Sequence, residues 1–118
     1  MGYLTTHILD TTKGIAASQV EIKLYRYDDK GNKSLIHTTR SNDDGRCDAP
    51  LLAEEHFSKG VYELEFGIED YFAQQGIEMP QPSFLNMVTI RFGISDEAAH
   101  YHIPLLVSPY SYSTYRGS

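Results

Sequence analysis

The hexapeptide VEIKLY, residues 20–25, carries the pattern from which the architecture of this chain follows. Its apolar residues Val20, Ile22 and Leu24 are separated by single residues that tolerate water, so an extended strand would bury one face and expose the other. The same period of two recurs in YELEF, residues 62–66, and in VTIRF, residues 88–92. Strands with one wet face are typical of antiparallel sheets, and we predict that these three strands form one.

Further strand candidates lie between turn signals such as DDKGN, residues 28–32, and NDDG, residues 42–45. They span residues 4–9, 35–40, 101–107 and 111–116. One segment interrupts this rhythm: EDYFAQQG, residues 69–76, begins with acidic residues, lacks β-branched residues and ends at a glycine, which indicates about two turns of helix. Several short strands separated by turns predict an all-β sandwich.

Length and composition limit the possible functions. A chain of 118 residues is predicted to form one domain, residues 1–118. Lys and Arg together number 10 against 16 Asp and Glu, which argues against a nucleic-acid partner. No stretch approaches the ~20 apolar residues of a membrane span, and the first residues do not read as a signal peptide. The single cysteine, Cys47, is typical of a reducing compartment, so we expect a cytoplasmic protein.

The histidines are the first candidates for chemistry. If Ile8 and Ile103 point into the core, strand alternation places His7 and His102 on outer faces, with His100 on the same face as His102. Such imidazoles are either ordinary surface side chains or an acid–base pair. Three of them together would also suit a zinc site, although the spacing alone is weak evidence for zinc.

The residues after the NDDG turn are weaker candidates. Arg46 follows the turn directly and so sits where loops present functional side chains. The turn itself lacks the alternating ligands and distal Glu of a calcium loop. Cys47 has no evident neighbouring base and is expected to be inert packing. The chain closes with YSTYRGS, residues 112–118, an ordered-looking end whose arginine suggests binding.

Three segments together carry a family resemblance: THILDTTKG at residues 6–14, DGR at 44–46 and HYHIPLLVSPYSYSTYRGS at 100–118. With them the chain resembles the 5-hydroxyisourate hydrolase family, the transthyretin-related proteins of purine breakdown. The terminal YRGS is the most specific segment, because hormone-carrying transthyretins lack it. The resemblance spans essentially the whole chain.

The resemblance implies a transthyretin-like, two-sheet antiparallel β-sandwich of about eight strands with one short helix. It also implies a homotetramer, a dimer of dimers, whose channel holds active sites shared between subunits. The residues that fall on the family's motifs are His7, Arg46, His102 and Ser118 as catalytic groups, and Tyr115, Arg116 and Gly117 as substrate-binding groups.

The implied reaction is hydrolysis of 5-hydroxyisourate at its C6 carbonyl to 2-oxo-4-hydroxy-4-carboxy-5-ureidoimidazoline, a step of urate degradation that requires no cofactor and no metal. Either His7 or His102 would be the general base, and Arg46 would stabilise the oxyanion. The alternative is a transthyretin-like carrier that binds a small molecule in the same channel without catalysis. Its channel would be apolar, with Lys and Glu in place of His and Arg.

The sequence departs from the family's usual pattern at three places, none of them a residue with an implied catalytic role. Ala16 stands where proline is common, and Tyr110-Ser111 replaces the usual Phe-Gly. PSFLNMV, residues 82–88, lacks the common Phe-Phe-Pro. Ser111 is expected to restrict the backbone before the last strand more than glycine would.

Overall fold

Nine strands and one α-helix make up the regular structure of residues 2–117, the part of the chain described by the computed structural model. The strands are β1 (Tyr3–Asp10), β2 (Ile15–Ala16), β3 (Glu21–Tyr27), β4 (Lys33–Arg40), β5 (Leu52–Ala53), β6 (Gly60–Phe66), β7 (Val88–Ile94), β8 (Tyr101–Val107) and β9 (Tyr112–Thr114). The helix α1 spans Ile68–Gln74, and a short 3-10 turn spans Glu54–His56.

The strands form two sheets that face each other across an apolar core. The first sheet has the order β2-β1-β8-β9, with β5 also paired to β1, and the second has the order β4-β3-β6-β7. The three strands predicted from the alternating segments are adjacent and antiparallel in the second sheet, with Leu24 opposite Leu64 and Leu64 opposite Ile90. The predicted two-sheet sandwich with one short helix is confirmed.

The first sheet contains a pairing that the sequence did not predict. Strands β1 and β8 run parallel, with Thr5 opposite His102 and Ile8 opposite Leu105. The expectation of a wholly antiparallel sandwich is wrong for this pair. Alternation tells which face of a strand is buried but not the direction of its neighbour, and strands far apart in sequence need no hairpin to join them.

Short strands account for the difference between the observed nine and the implied eight. Strands β2 and β5 have two residues each, too few for a period of two to be recognised. Strand β9 is shorter than the predicted 111–116, but its register continues to a bridge between His102 and Gly117. Within residues 2–117 no helix is long and apolar enough to cross a membrane.

The core lies between the inner faces of the two sheets. Leu24, Leu64 and Phe66 of the second sheet, and Ile8 and Leu105 of the first, are all inaccessible to solvent. These side chains are the alternate residues of their strands, so burial follows the period of two. Each fully buried residue of this size contributes roughly 1.5–3 kcal/mol by leaving water.

Helix α1 packs against the core, lies between β6 and β7 of the second sheet in the chain, and contacts β1 of the first sheet. Glu69 and Asp70 lie in its first turn, where carboxylates favour the positive end of the helix dipole. The chain leaves the helix at Gly76, whose φ of +79° suits glycine. Ile68, Tyr71 and Phe72 form its buried face, and the Tyr71 hydroxyl donates a hydrogen bond to Asp10 Oδ2 of β1 at 2.8 Å.

Replacing Tyr71 with phenylalanine is expected to destabilise the fold. Asp10 is fully buried, and it would lose one of its two hydrogen-bond donors while keeping the Thr12 backbone N–H. Leaving a buried acceptor unpaired costs about 1–3 kcal/mol of unfolding free energy, measurable by urea denaturation. The matched control is Tyr25→Phe, whose hydroxyl makes a long contact of 3.5 Å. Equal losses for the two variants would contradict the expectation.

Candidate active site

The outer face of the first sheet carries the polar residues that the alternation rule placed there. Ile8 and Ile103 are buried, so the condition for His7 and His102 to point away from the core is met. Strands β1 and β8 pair Thr5 with His102, which sets these two side chains next to each other on the same face. His100 precedes His102 by two residues and lies beside it, with 6.2 Å between the ring centroids.

One hydroxyl connects the two histidines of β8. Thr5 Oγ1 lies 2.8 Å from His102 Nδ1 and 2.9 Å from His100 Nε2. The ring of Tyr3 stacks on the His100 imidazole, with 4.0 Å between the ring centroids. Both imidazoles are therefore oriented by β1. Thr5 was not among the candidate site residues identified from the sequence.

A tight turn holds Arg46 next to β1. Asn42 Oδ1 accepts hydrogen bonds from the backbone N–H groups of Asp44 and Arg46, and the Asn42 N–H donates to the Arg46 carbonyl. Gly45, with φ of +74°, accepts a hydrogen bond from the Ile8 N–H through its carbonyl at 2.8 Å. The Asn42 side chain thus caps its own turn, as an Asx turn does, and the turn is fastened to the strand that carries His7.

Gly45 has a role that another residue would not fill. A Cβ at this position would lie 2.4 Å from the Ile8 carbonyl oxygen. Gly45→Ala is therefore expected to displace the turn, to cost about 1–3 kcal/mol of stability, and to move Arg46 away from His7 and His102. Because the Arg46 charge lowers the pKa of both histidines, their pKa values should rise in the variant, which an NMR titration measures.

Gly31→Ala is the control for Gly45→Ala. Gly31 has a φ of +84°, but a Cβ there would meet nothing within 4 Å. It therefore carries the same left-handed backbone cost without the collision. If both variants leave the histidine pKa values where they are in the parent protein, Gly45 does not position Arg46.

A recess of about 460 Å³ lies beside Thr5. It is lined by Tyr3, Thr5, Thr6, Arg46, Cys47, Ala49, His100 and His102. A larger groove of about 670 Å³ lies elsewhere, around Arg26 and Pro50, and none of the predicted site residues line it. The recess beside Thr5 brings together two of the predicted catalytic residues, Arg46 and His102, with His100, while His7 is not among its lining residues.

Burial and the charge of Arg46 favour the neutral form of both His7 and His102. Burial lowers the pKa of His7 and the positive charge of Arg46 lowers it further, against a smaller opposing effect of Asp44. Burial also lowers the pKa of His102, followed by the charges of Arg46, His100 and His7. A neutral imidazole has a free lone pair, so both groups are able to accept a proton at neutral pH.

Cys47 also lines the recess, but its chemistry differs. Burial raises the pKa of its thiol, with a smaller contribution from Asp48, which disfavours the reactive thiolate. Its side chain packs against the hydrophobic core. This agrees with the expectation of inert packing.

The chain end reaches this site through Gly117 but not through Arg116. The Gly117 N–H donates to the His102 carbonyl at 2.7 Å, and a Cβ on Gly117 would lie 2.8 Å from His102 Cδ2. The Arg116 guanidinium carbon instead lies 4.1 Å from the centroid of the Tyr101 ring, on the inner side of β8 and in a separate recess. Tyr115 is 62% exposed. Ser118 lies outside the described residues.

The zinc site considered from the sequence was tested against the arrangement of possible ligands. Within residues 2–117 no group of three or more His, Cys, Asp or Glu side chains is arranged to hold a metal ion. The ring nitrogens of His100 and His102 that face each other are both engaged with the Thr5 hydroxyl. His100 and His102 are thus joined through one hydroxyl group.

The comparison with known proteins places this chain in a family. Residues 4–117 match the model of the HIUase/Transthyretin family. The chain belongs to this family. The 5-hydroxyisourate hydrolase of Ralstonia nicotianae is 52% identical over 118 residues, which is 100% of both chains.

Solved structures of the HIUase/Transthyretin family share the fold. A crystal structure of (S)-allantoin synthase superposes with a TM-score of 0.93 at 43% identity over 99% of this chain, which spans 44% of that longer chain. Sea bream transthyretin in complex with thyroxine superposes with a TM-score of 0.87 at 31% identity, over 97% of this chain and 93% of its own. The predicted transthyretin-like sandwich is confirmed.

Proposed function

We propose that this protein, as one domain of residues 1–118, hydrolyses 5-hydroxyisourate. Water adds to the C6 carbonyl, the ring C–N bond breaks, and the product is 2-oxo-4-hydroxy-4-carboxy-5-ureidoimidazoline. The observation that carries the proposal is the recess that brings Arg46 and His102 together, and the pKa values of His7 and His102 are both lowered by burial and by the Arg46 charge. Relatives that match over the full length and bear the name of this hydrolase support the choice of substrate.

In the proposed mechanism His102 is the general base. Its Nδ1 is occupied by Thr5, so the other ring nitrogen is the one available to take a proton from water. His7 orients the water or returns the proton to the leaving nitrogen. Arg46 stabilises the negative charge that develops on the carbonyl oxygen, and its planar fork of donors suits that task.

The chain end completes the proposed site. Tyr115, Arg116 and Gly117 bind the substrate, and Ser118 contributes its hydroxyl. The contact of Gly117 with His102 supports a place for this segment at the recess. The role of Arg116 requires its guanidinium either to leave the Tyr101 ring or to serve the site of a neighbouring subunit.

We further propose a homotetramer, a dimer of dimers, in which subunits share the sites. The outer-face recess is open to water, and burial against another subunit would lower the local dielectric and strengthen the contacts to an oxyanion. Two exposed aromatic rings support self-association: Phe84 is 72% exposed and Tyr110 is 61% exposed. Light scattering at assay concentration tests this, and a fully active monomer would contradict it.

The alternative of a small-molecule carrier is less well supported. A carrier channel of the transthyretin kind was expected to be apolar with Lys and Glu, whereas this recess holds two histidines and an arginine. The deciding experiment follows the ultraviolet absorbance of freshly generated 5-hydroxyisourate with and without the protein. Accelerated decay supports the hydrolase, and decay at the spontaneous rate rejects it.

The proposed cellular location of the protein is the cytoplasm. The single cysteine, Cys47, is free, which suits a reducing compartment. Fractionation of cells that express the untagged chain tests this, and recovery in a membrane or secreted fraction would contradict it.

Deletion of residues 116–118 is expected to reduce turnover of 5-hydroxyisourate about a hundredfold or more, because it removes the Gly117 contact with His102 and the donors that Arg116 and Ser118 are proposed to bring to the substrate. The cost to folding should be about 1–2.5 kcal/mol, since the deletion removes the Arg116–Tyr101 cation–π contact, worth about 0.5–1 kcal/mol, and the Gly117–His102 hydrogen bond, worth about 0.5–1.5 kcal/mol. Steady-state kinetics and thermal unfolding measure the two effects.

A polyhistidine tag provides the control for the deletion. A tag after Ser118 should reduce activity more than the same tag before Met1, because it crowds the recess beside His102. Parental turnover in the deletion variant would show that the chain end has no part in the reaction.

A further inference from the structure

The Thr5 hydroxyl contacts two imidazoles, and the reaction described above uses only its contact with His102. It lies between His102 Nδ1 and His100 Nε2, within hydrogen-bond distance of both. A threonine hydroxyl has one proton, so it donates to one of the two nitrogens and accepts from the other. The protonation of one imidazole is thereby coupled to that of its neighbour.

The coupled chain has two arrangements when both imidazoles are neutral. In the first, the His102 Nδ1–H donates to Thr5, and Thr5 donates to the bare Nε2 of His100. In the second, the His100 Nε2–H donates to Thr5, and Thr5 donates to the bare Nδ1 of His102. A neutral imidazole carries one N–H, so the first arrangement leaves His102 Nε2 with a free lone pair and the second protonates that nitrogen.

We propose that Thr5 is a positioning residue that fixes His102 as the Nδ1–H tautomer, and that it connects His102 to His100 as a proton relay. No group within residues 2–117 forms a hydrogen bond to His102 Nε2, so in this tautomer the lone pair is free for water in the recess. The stacking of Tyr3 on His100 holds the far end of the chain in place. The hydrogen-bonded chain stands on the geometry, whereas the choice of the Nδ1–H tautomer and the relay rest on the proposed hydrolysis, in which His102 Nε2 accepts a proton.

The relay balances without any further reactant. As the water oxygen bonds to the carbonyl carbon, its proton moves to His102 Nε2. The Nδ1 proton of His102 moves to Thr5 Oγ1, and the Thr5 hydroxyl proton moves to His100 Nε2. The positive charge that the base acquires is thus transferred to His100, and reversal of the same steps returns the proton for the leaving nitrogen.

Nitrogen NMR of histidine side chains tests the tautomer directly. With ¹⁵N-labelled histidine at a pH where His102 is neutral, the parent protein and Thr5→Ser should show a protonated Nδ1 and a bare Nε2 on His102. Thr5→Val removes the hydroxyl and keeps the shape, so this preference should be lost. Thr38→Val, on the exposed strand β4, is the control and should leave His102 unchanged.

A second variant tests which of the two hydrogen-bond arrangements is present. His100→Phe keeps a ring against Tyr3 but removes the nitrogen that accepts from Thr5. The Thr5 hydroxyl then has His102 Nδ1 as its remaining acceptor, so His102 should switch to the Nε2–H tautomer. A parent protein with a protonated His102 Nε2, or a His100→Phe variant that keeps the Nδ1–H tautomer, overturns the proposal.

Kinetics separate this inference from the proposed function. Thr5→Val should lower kcat about 10- to 100-fold, in line with the loss of partners that hold the second nitrogen of a functional histidine, and Thr5→Ser should recover most of it. The tautomer measurement needs no substrate, so it decides the role of Thr5 even if the protein leaves 5-hydroxyisourate intact. Equal kcat for Thr5→Val and the parent in an active hydrolase rejects the relay.

Discussion

Replacing His102 with glutamine is expected to lower kcat for 5-hydroxyisourate by about 10²- to 10⁴-fold, the usual contribution of a positioned general base. Glutamine is able to bond Thr5 and to fill much of the ring's space, but its amide does not accept a proton from water near neutral pH. The substrate still meets Arg46, so KM should change much less than kcat. Stopped-flow absorbance gives both constants.

The matched control for His102→Gln is His56→Gln. His56 lies on the exposed 3-10 turn, with 79% of its side chain accessible, and none of the proposed steps involves it. Its replacement should leave kcat within twofold of the parent value, by analogy with neutral surface substitutions. If His102→Gln retains parental kcat while His7→Gln loses it, the base is His7 and the proposed roles are reversed.

Arg46→Gln is expected to lower kcat by about 10²- to 10³-fold, because it removes a preorganised cation from the position where the oxyanion forms. A second effect follows from the electrostatics. The Arg46 charge opposes protonation of His7 and His102, so without it the pKa of each imidazole rises. The rise should appear in an NMR titration and as an upward shift of the acid limb of kcat/KM.

The direction of this pH shift follows from the requirement for an unprotonated base. A base must be unprotonated to act, and in the parent protein the lowered pKa of His102 keeps the base form present into mildly acidic solution. In Arg46→Gln the loss of activity on acidification should begin at higher pH. Arg40→Gln, an exposed arginine of β4, is the control. A variant with parental kcat and unshifted histidine titrations would remove Arg46 from the site.

Local sequence patterns were sufficient for the longer strands and for the faces of their side chains. The period of two in residues 20–25 and 62–66 determined which residues enter the core, and the same rule sent His7 and His102 outward. Side-chain direction in a strand depends on the backbone alone, so it is readable without knowing the neighbours. The helix was likewise readable from its acidic start and its terminal glycine.

The burial of side chains on the outer faces of the sheets could not be predicted from the sequence pattern. Glu63 alternates with core residues and was expected to meet water, yet it is 4% exposed. Lys33 and Tyr27 each contact its carboxylate at 2.7 Å, and Arg91 lies 3.7 Å away. These partners come from three different strands, and their approach depends on the register of the sheet.

The sequence by itself determined a sandwich with two outward histidines, an arginine after a tight turn and an end that resembles a known motif. The tertiary structure alone decided that β1 lies parallel to β8, and this pairing sets Thr5 between His100 and His102. It also decided that Gly45 docks on Ile8 and that Arg116 faces Tyr101. Such contacts join residues up to 97 positions apart, and they depend on strand order and register, for which a pattern of period two contains no information.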